Sequence, residues 1–246
     1  MRHMLTATAL VLAAVVALGS TGAVSAADVP EYVPIETPEP LPLPAGNWYL
    51  RGDIGYKIYQ NPQGYYDLAG YESMFDESLD DTGVIGVGVG YRFNEYLRLD
   101  ATIDYEFKSR MRGQLPCPAC TGPSREGADL DAWTGLINAY ADLGTYNGLT
   151  PYVGAGIGAS LLRTTGVSSS SPGEYYGEDT WNFAWALMAG VGYDITENVT
   201  VDLNYRYMNL GDAKTNAPDG APGNGSIEWN DIAAHELRVG LRYNFY

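Results

Sequence analysis

From Trp48 to the C-terminus the chain alternates apolar and polar residues with period two, in segments of about 10 to 14 residues. Such runs are longer than the usual strands of soluble proteins and long enough to cross a bilayer when tilted. In the clearest one, Leu97, Leu99, Ala101, Ile103, Tyr105 and Phe107 lie on one face. Arg98, Asp100, Thr102, Asp104, Glu106 and Lys108 lie on the other. Eight segments of this kind follow one another, at 47–59, 83–93, 97–108, 130–143, 150–162, 181–195, 199–210 and 233–246. The spacing predicts an all-β fold, an eight-stranded antiparallel up-and-down transmembrane β-barrel occupying residues 47–246.

The connections alternate in length. Those after the odd strands run to about 20 residues, whereas those after the even strands are tight, around Asn94-Glu95-Tyr96, Tyr146-Asn147-Gly148 and Glu197-Asn198. Long outer loops and short periplasmic turns have this rhythm, and an even strand number puts both barrel ends in the periplasm.

Alternation alone would also suit a soluble barrel, so the faces have to be told apart. Gly86, Gly88 and Gly90, and again Gly154, Gly156 and Gly158, fall on the polar face. Glycine weakens a solvated strand but makes room for large side chains inside a narrow barrel. The polar face is therefore expected inside, with Arg51, Arg92, Arg98, Arg206, Arg238 and Arg242 pairing with Asp53, Asp100, Asp104, Asp202 and Glu236 in a lumen charge network. Aromatics of the apolar face gather at two levels, as interfacial girdles do. Trp48, Tyr91, Phe93, Tyr193, Tyr243 and Phe245 form the periplasmic level. Tyr105, Phe107, Trp133, Trp181, Phe183 and Tyr207 form the outer one.

The N-terminus supports export. Arg2, an apolar run from Leu5 to Leu18 and the small residues Val24-Ser25-Ala26 have the layout of a signal peptide over residues 1–26. Residues 27–46 carry six prolines among acidic residues and read as an extended periplasmic linker. The whole chain has a formal charge of −16, and removing Arg2 with the signal leaves 13 basic against 30 acidic residues, a net −17. Such a chain repels nucleic acid. Cys117 and Cys120 are the only cysteines. In an exported protein they read as a small loop-stapling disulfide, since a zinc site needs two further ligands and a redox pair a βαβ context.

The alternating end Leu237, Val239, Leu241, Tyr243, Phe245 resembles the C-terminal assembly signal of outer-membrane barrels, carried here by Val239, Leu241, Tyr243 and Phe245, with Tyr246 as one residue beyond the phase. Pro151 to Gly158 (PYVGAGIG) and Tyr205 to Asp212 (YRYMNLGD) resemble segments of the small porin-like surface-antigen family of alphaproteobacteria, which is similar in structure to the membrane domain of OmpA. The resemblance implies the cell outer membrane of a Gram-negative envelope, a structural or surface-interaction role, outer-membrane lipids and lipopolysaccharide as surroundings, and the barrel-assembly machinery and periplasmic chaperones as partners in biogenesis. No cofactor or metal is implied.

Catalysis finds no footing in the residues. The mature chain has one histidine, His235, on the apolar face near the outer level, but Glu236 and Leu237 follow it in place of the His-x-Ser of a lipid A deacylase. The alternating glycines lack the Lys-Ser/Thr of a phosphate loop. The first outer loop, 60–81, is acidic and aromatic and lacks basic residues. It suits a solvated surface, a host contact, or divalent-cation bridging to lipopolysaccharide phosphates. A narrow small-solute channel is the alternative function, disfavoured because side chains fill the lumen of an eight-stranded barrel.

Overall fold

The computed structural model describes residues 47–66, 74–115, 122–170, 176–216 and 227–245. The signal segment, the proline-rich linker, Cys117, Cys120 and Tyr246 lie outside the described residues. The strands are β1 (Trp48–Tyr59), β2 (Gln63–Tyr66), β3 (Phe75–Leu79), β4 (Thr82–Arg92), β5 (Leu97–Leu115), β6 (Ser124–Asp142), β7 (Leu149–Ser169), β8 (Tyr176–Gly177), β9 (Asp179–Asp194), β10 (Val199–Asn216) and β11 (Ile227–Asn244). Eight of them, β1, β4, β5, β6, β7, β9, β10 and β11, pair with their neighbours in that order, always antiparallel. The ring closes where β1 meets β11, from Tyr49 opposite Asn244 to Tyr59 opposite Ala234. Closure leaves no unpaired edge, the condition for a sheet to survive in hydrocarbon.

Side-chain phase follows the period-two pattern. Ile54, Val87, Ile137 and Ile157 on the outer surface are 60–67% exposed, while Asp104, Arg206 and Glu236 are at most 1% exposed. A solvated protein would not bury charges and expose isoleucines; this inversion fits a wall facing lipid. All twelve girdle aromatics point outward, and several meet in edge-on or tilted pairs, such as Trp48–Tyr91 at one level and Tyr105–Trp133 at the other.

The tight turns are held locally. Asn94 Oδ1 accepts the N–H groups of Tyr96 and Leu97, both at 2.8 Å, and Thr196 Oγ1 accepts that of Val199 at 3.0 Å. Asn147 and Gly148, at φ +51° and +81°, supply the two left-handed residues of the 146–149 turn.

The opposite end departs from expectation. The connections there were read as loops, but β5, β6 and β7 run on as strands of 19, 19 and 21 residues, where about 10 cross a bilayer. β2, β3 and β8 add to this projecting wall by pairing with β11, β5 and β10. The extension is not in simple phase with the membrane strands. Irregularities in register between Glu106 and Ser109 on β5, after Asn209 on β10, and near Asp231 at φ +56° on β11 each exchange the faces. Lys108, assigned to the inner face by strict alternation, is consequently exposed on the outside.

Candidate functional site

Among the described residues, the interior brings together the largest group of charged side chains, and it is built in two tiers. The first, toward the short turns, is ionic. Arg238 on β11 sits at the centre: its Nη1 contacts Asp53 at 2.5 Å and Asp104 at 2.8 Å, and its Nε contacts Glu236 at 2.7 Å. Arg206 on β10 contacts the other oxygen of Asp104 at 2.8 Å. Lys57 bridges Glu236, at 2.8 Å, and Glu106, to which Tyr59 also donates. Nearer the short turns, Arg51 joins Asp53 and Asp100, each at 3.1 Å, and donates to the Tyr140 hydroxyl. Arg98 pairs with Asp142 at 2.8 Å and lies over the rings of Tyr140 and Tyr152. Arg242 pairs with Asp202 at 3.1 Å.

Of the eleven residues named for the lumen from the sequence, all but Arg92 make an ion pair. Arg92, near the short-turn rim, is half-buried and contacts no carboxylate among the described residues. The network named from the sequence left out Lys57 and Asp142, which share the phase of named neighbours, and Glu106, which alternation had already placed on the inner face. With them the ionic tier holds seven cations (Arg51, Lys57, Arg92, Arg98, Arg206, Arg238, Arg242) and seven carboxylates (Asp53, Asp100, Asp104, Glu106, Asp142, Asp202, Glu236), while another buried carboxylate, Glu126, lies further out against Ser124 and Ser169. Balance of this kind is what a low-dielectric space requires, because an unmatched buried charge costs several kcal/mol.

The glycines make room for the network. A Cβ on Gly86 would collide with Asp104 Oδ1 and lie 3.1 Å from Arg238 Nη1, and one on Gly90 would collide with the Tyr49 ring.

The second tier is apolar and was not foreseen. Met111, Leu130, Leu162, Met208, Leu210, Ile227, Trp229 and Ile232 point inward above the ionic tier and are at most 1% exposed. Met74, from the first long connection, joins them with its sulfur against Gly64. The register shifts explain the miss: past them the inward positions on β5 and β11 are odd-to-even exchanged, so strict alternation assigned parts of this layer to the outside. Seen from the short turns, a tier of ion-paired side chains comes first and a packed hydrocarbon layer second; Arg206 and Arg238 each keep buried guanidinium N–H groups with no protein acceptor.

His235 faces outward. Its Nδ1 lies 2.7 Å from the Tyr205 hydroxyl and its Nε2 3.0 Å from Gln60, with the rings of Tyr205 and Tyr207 alongside. These partners bring it no carboxylate and no nucleophile. The C-terminal residues Val239, Leu241, Tyr243 and Phe245 all point outward at 42–58% exposure, and Tyr243 and Phe245 stack edge-on. Among the described residues no cluster of His, Cys, Asp and Glu is arranged to hold a metal.

A closed ring of antiparallel strands with an apolar exterior, two aromatic girdles and a filled, charge-balanced interior defines a transmembrane β-barrel of the outer-membrane type. The chain belongs to the outer membrane protein beta-barrel domain family, whose model matches residues 13–245. It is 37% identical over 269 aligned positions to an uncharacterized protein of Brucella melitensis, covering 92% of this chain and 94% of that one. It is 27% identical over 206 positions to a Rickettsia bellii protein named as a candidate adhesin, covering 80% and 88%. In structure it is similar to the outer membrane protein OprG of Pseudomonas aeruginosa, with a TM-score of 0.54 at 17% identity over 82% of this chain and 97% of that one. It is also similar to AlkL, with a TM-score of 0.53 at 16% identity over 92% and 96%. The protein resides in the outer membrane.

Proposed function

We propose that this barrel is a non-catalytic surface protein of the envelope, in which a rigid, sealed cylinder anchors a projecting extracellular wall. The observation that carries this reading is the two-tier interior: a tier of buried ion pairs capped by an apolar layer fills the lumen that the described strands enclose. The projecting end of β5, β6 and β7 faces outward from the cell, because outer-membrane barrels keep short turns in the periplasm. A surface-interaction role for that wall agrees with the naming of the Rickettsia relative as a candidate adhesin. In this reading residues 1–26 are removed on export, 27–46 form a periplasmic linker, and Cys117 and Cys120 staple the tip of the β5–β6 hairpin. Val239, Leu241, Tyr243 and Phe245 present the end of the chain to the barrel-assembly machinery.

Deleting the gene and measuring sensitivity to detergent and to bulky antibiotics tests the role. Increased sensitivity, restored equally by the full chain and by a chain with its hairpins shortened, supports an envelope role for the barrel. Restoration only by the full chain transfers the role to the projecting wall. Unchanged sensitivity refutes the envelope-integrity role.

A further inference from the structure

The distribution of the few cations singles out one sector of the outer wall. Of the 14 basic residues, Arg2 lies in the export signal and seven face the lumen. Five of the remaining six, Lys108, Arg110, Arg112, Arg125 and Arg163, stand on three adjacent strands, β5, β6 and β7. The sixth, Lys214, is on β10. Elsewhere on the projecting wall exposed acidic residues include Asp81 and Asp231. In a chain with so large an excess of acid, this clustering calls for a partner.

The height of the cluster names its class. Tyr105, Phe107 and Trp133 form the outer aromatic girdle on these strands, and on β5 the cations follow one to five residues beyond Phe107. At ~3.3 Å per residue on a strand tilted by about 45°, that is the depth of the polar headgroups. The irregularity between Glu106 and Ser109 is what turns Lys108 out to join them. Arg110, Arg112 and Arg125 surround an open depression of about 340 Å³ that Asp76 and Glu126 also line and where Gly113 and Gly127 contribute no side chain. Arg110 and Arg112 are held by Asp129 and Asp80, at 2.8 and 2.7 Å, and Arg163 by Asp131 at 3.3 Å. A guanidinium has five N–H donors, so each of these keeps some free for a second acceptor. Lys108 and Arg125 make no ion pair among the described residues.

We infer that this sector is a binding site for the phosphorylated headgroup of an outer-leaflet glycolipid, with Lys108, Arg110, Arg112 and Arg125 contacting its phosphates directly. Arginine forks match phosphate geometry, and neighbours on a strand wall reach laterally into the headgroup layer. A soluble polyanion would be met by the distal tip of the wall. Lys108 and Arg110 instead flank the girdle, with Arg112 five and Arg125, opposite Gln114, seven residues beyond Phe107 on the same wall. The inference rests on the outer-membrane placement of the barrel with its hairpins outward.

The test uses the folded full-length protein in zwitterionic micelles, titrated with bisphosphoryl lipid A or with the same lipid dephosphorylated and read by native mass spectrometry. The wild type is expected to prefer the phosphorylated form by about ten-fold or more, and Lys108→Gln with Arg125→Gln to lose most of that preference. Adding Arg110→Gln and Arg112→Gln abolishes it, while Lys214→Gln keeps it. The Lys108 and Arg125 pair is the safer variant, since neither side chain supports the fold through an ion pair. Equal binding of both lipids by the wild type, or undiminished preference in the variants, overturns the proposal. Binding of heparin that depends on the same arginines, without preference for phosphorylated lipid A, overturns it in favour of a polyanion surface. A chain that never gains heat-modifiable mobility in any membrane mimic overturns the barrel reading and the site with it.

Discussion

Replacing Arg238 by methionine removes the hub of the ionic tier while preserving most of the side-chain volume. Arg238 is 1% exposed and holds Asp53, Asp104 and Glu236 together. Each carboxylate retains one other cation: Arg51 for Asp53, Arg206 for Asp104, Lys57 for Glu236. The loss is therefore one net charge in a space with little solvent, and a broken buried ion pair costs about 3 to 5 kcal/mol. The comparison is Lys214→Met, whose partner Glu228 lies on the wet wall. Exposed pairs of this kind contribute less than about 1 kcal/mol. Reversible urea unfolding from lipid vesicles, followed by tryptophan fluorescence, measures both. Adding Asp53→Asn to Arg238→Met restores neutrality and should recover about 1 kcal/mol or more, a coupling typical of residues in one network. If Arg238→Met were as mild as Lys214→Met, bulk water would be screening the network. The lumen would then be a wet conduit, and the sealed-cylinder account would fail.

On β5, Ile103→Arg places a charge at a lipid-facing position that is 58% exposed and should cost about 2 to 4 kcal/mol in the same assay. Thr102→Ser, one residue away on the inside, retains the hydroxyl that accepts from Asn138 and should cost less than about 1 kcal/mol; equal effects would refute the assigned phase. Gly86→Ala drives a methyl into Asp104 and should destabilise by about 1 to 3 kcal/mol, whereas wild-type stability would mean the network is loosely packed. Deleting Phe245 and Tyr246 together should sharply reduce heat-modifiable barrel in membranes, and deleting Tyr246 alone should spare it, because Phe245 is the outward aromatic.

The fold was legible in the sequence because lipid on one side and a packed lumen on the other enforce period two between the girdles, even where inward positions such as Leu136 and Met188 are apolar. Strand ends at the short turns follow directly, since Asn94, Gly148 and Thr196 are turn-forming residues at the expected places. The projecting wall was not legible. Past the outer girdle, the wall meets water on its outer surface and an apolar filling within, so the relation of polarity to face reverses, and residues such as Asp129 and Leu130 no longer read like their membrane-level counterparts. The register shifts at Glu106 to Ser109 and around Asp231 compound this, since a single extra residue exchanges every later face and leaves no compositional mark. In the site, the ionic residues carried a phase signal that was read for most of them. Lys57 was passed over although it shares the parity of Arg51 and Asp53. The cation cluster on β5, β6 and β7 was invisible, because strands adjacent in space contribute residues as far apart in the chain as Lys108 and Arg163.

Single-channel recording in planar bilayers tests the sealed interior most directly. The wild-type barrel should insert, as judged by heat-modifiable mobility of the same sample, and give no steady conductance steps. Stable, porin-sized steps from the inserted wild type would contradict the account, in which the ion-paired network around Arg238 and the apolar layer around Met111, Leu162 and Trp229 fill the lumen.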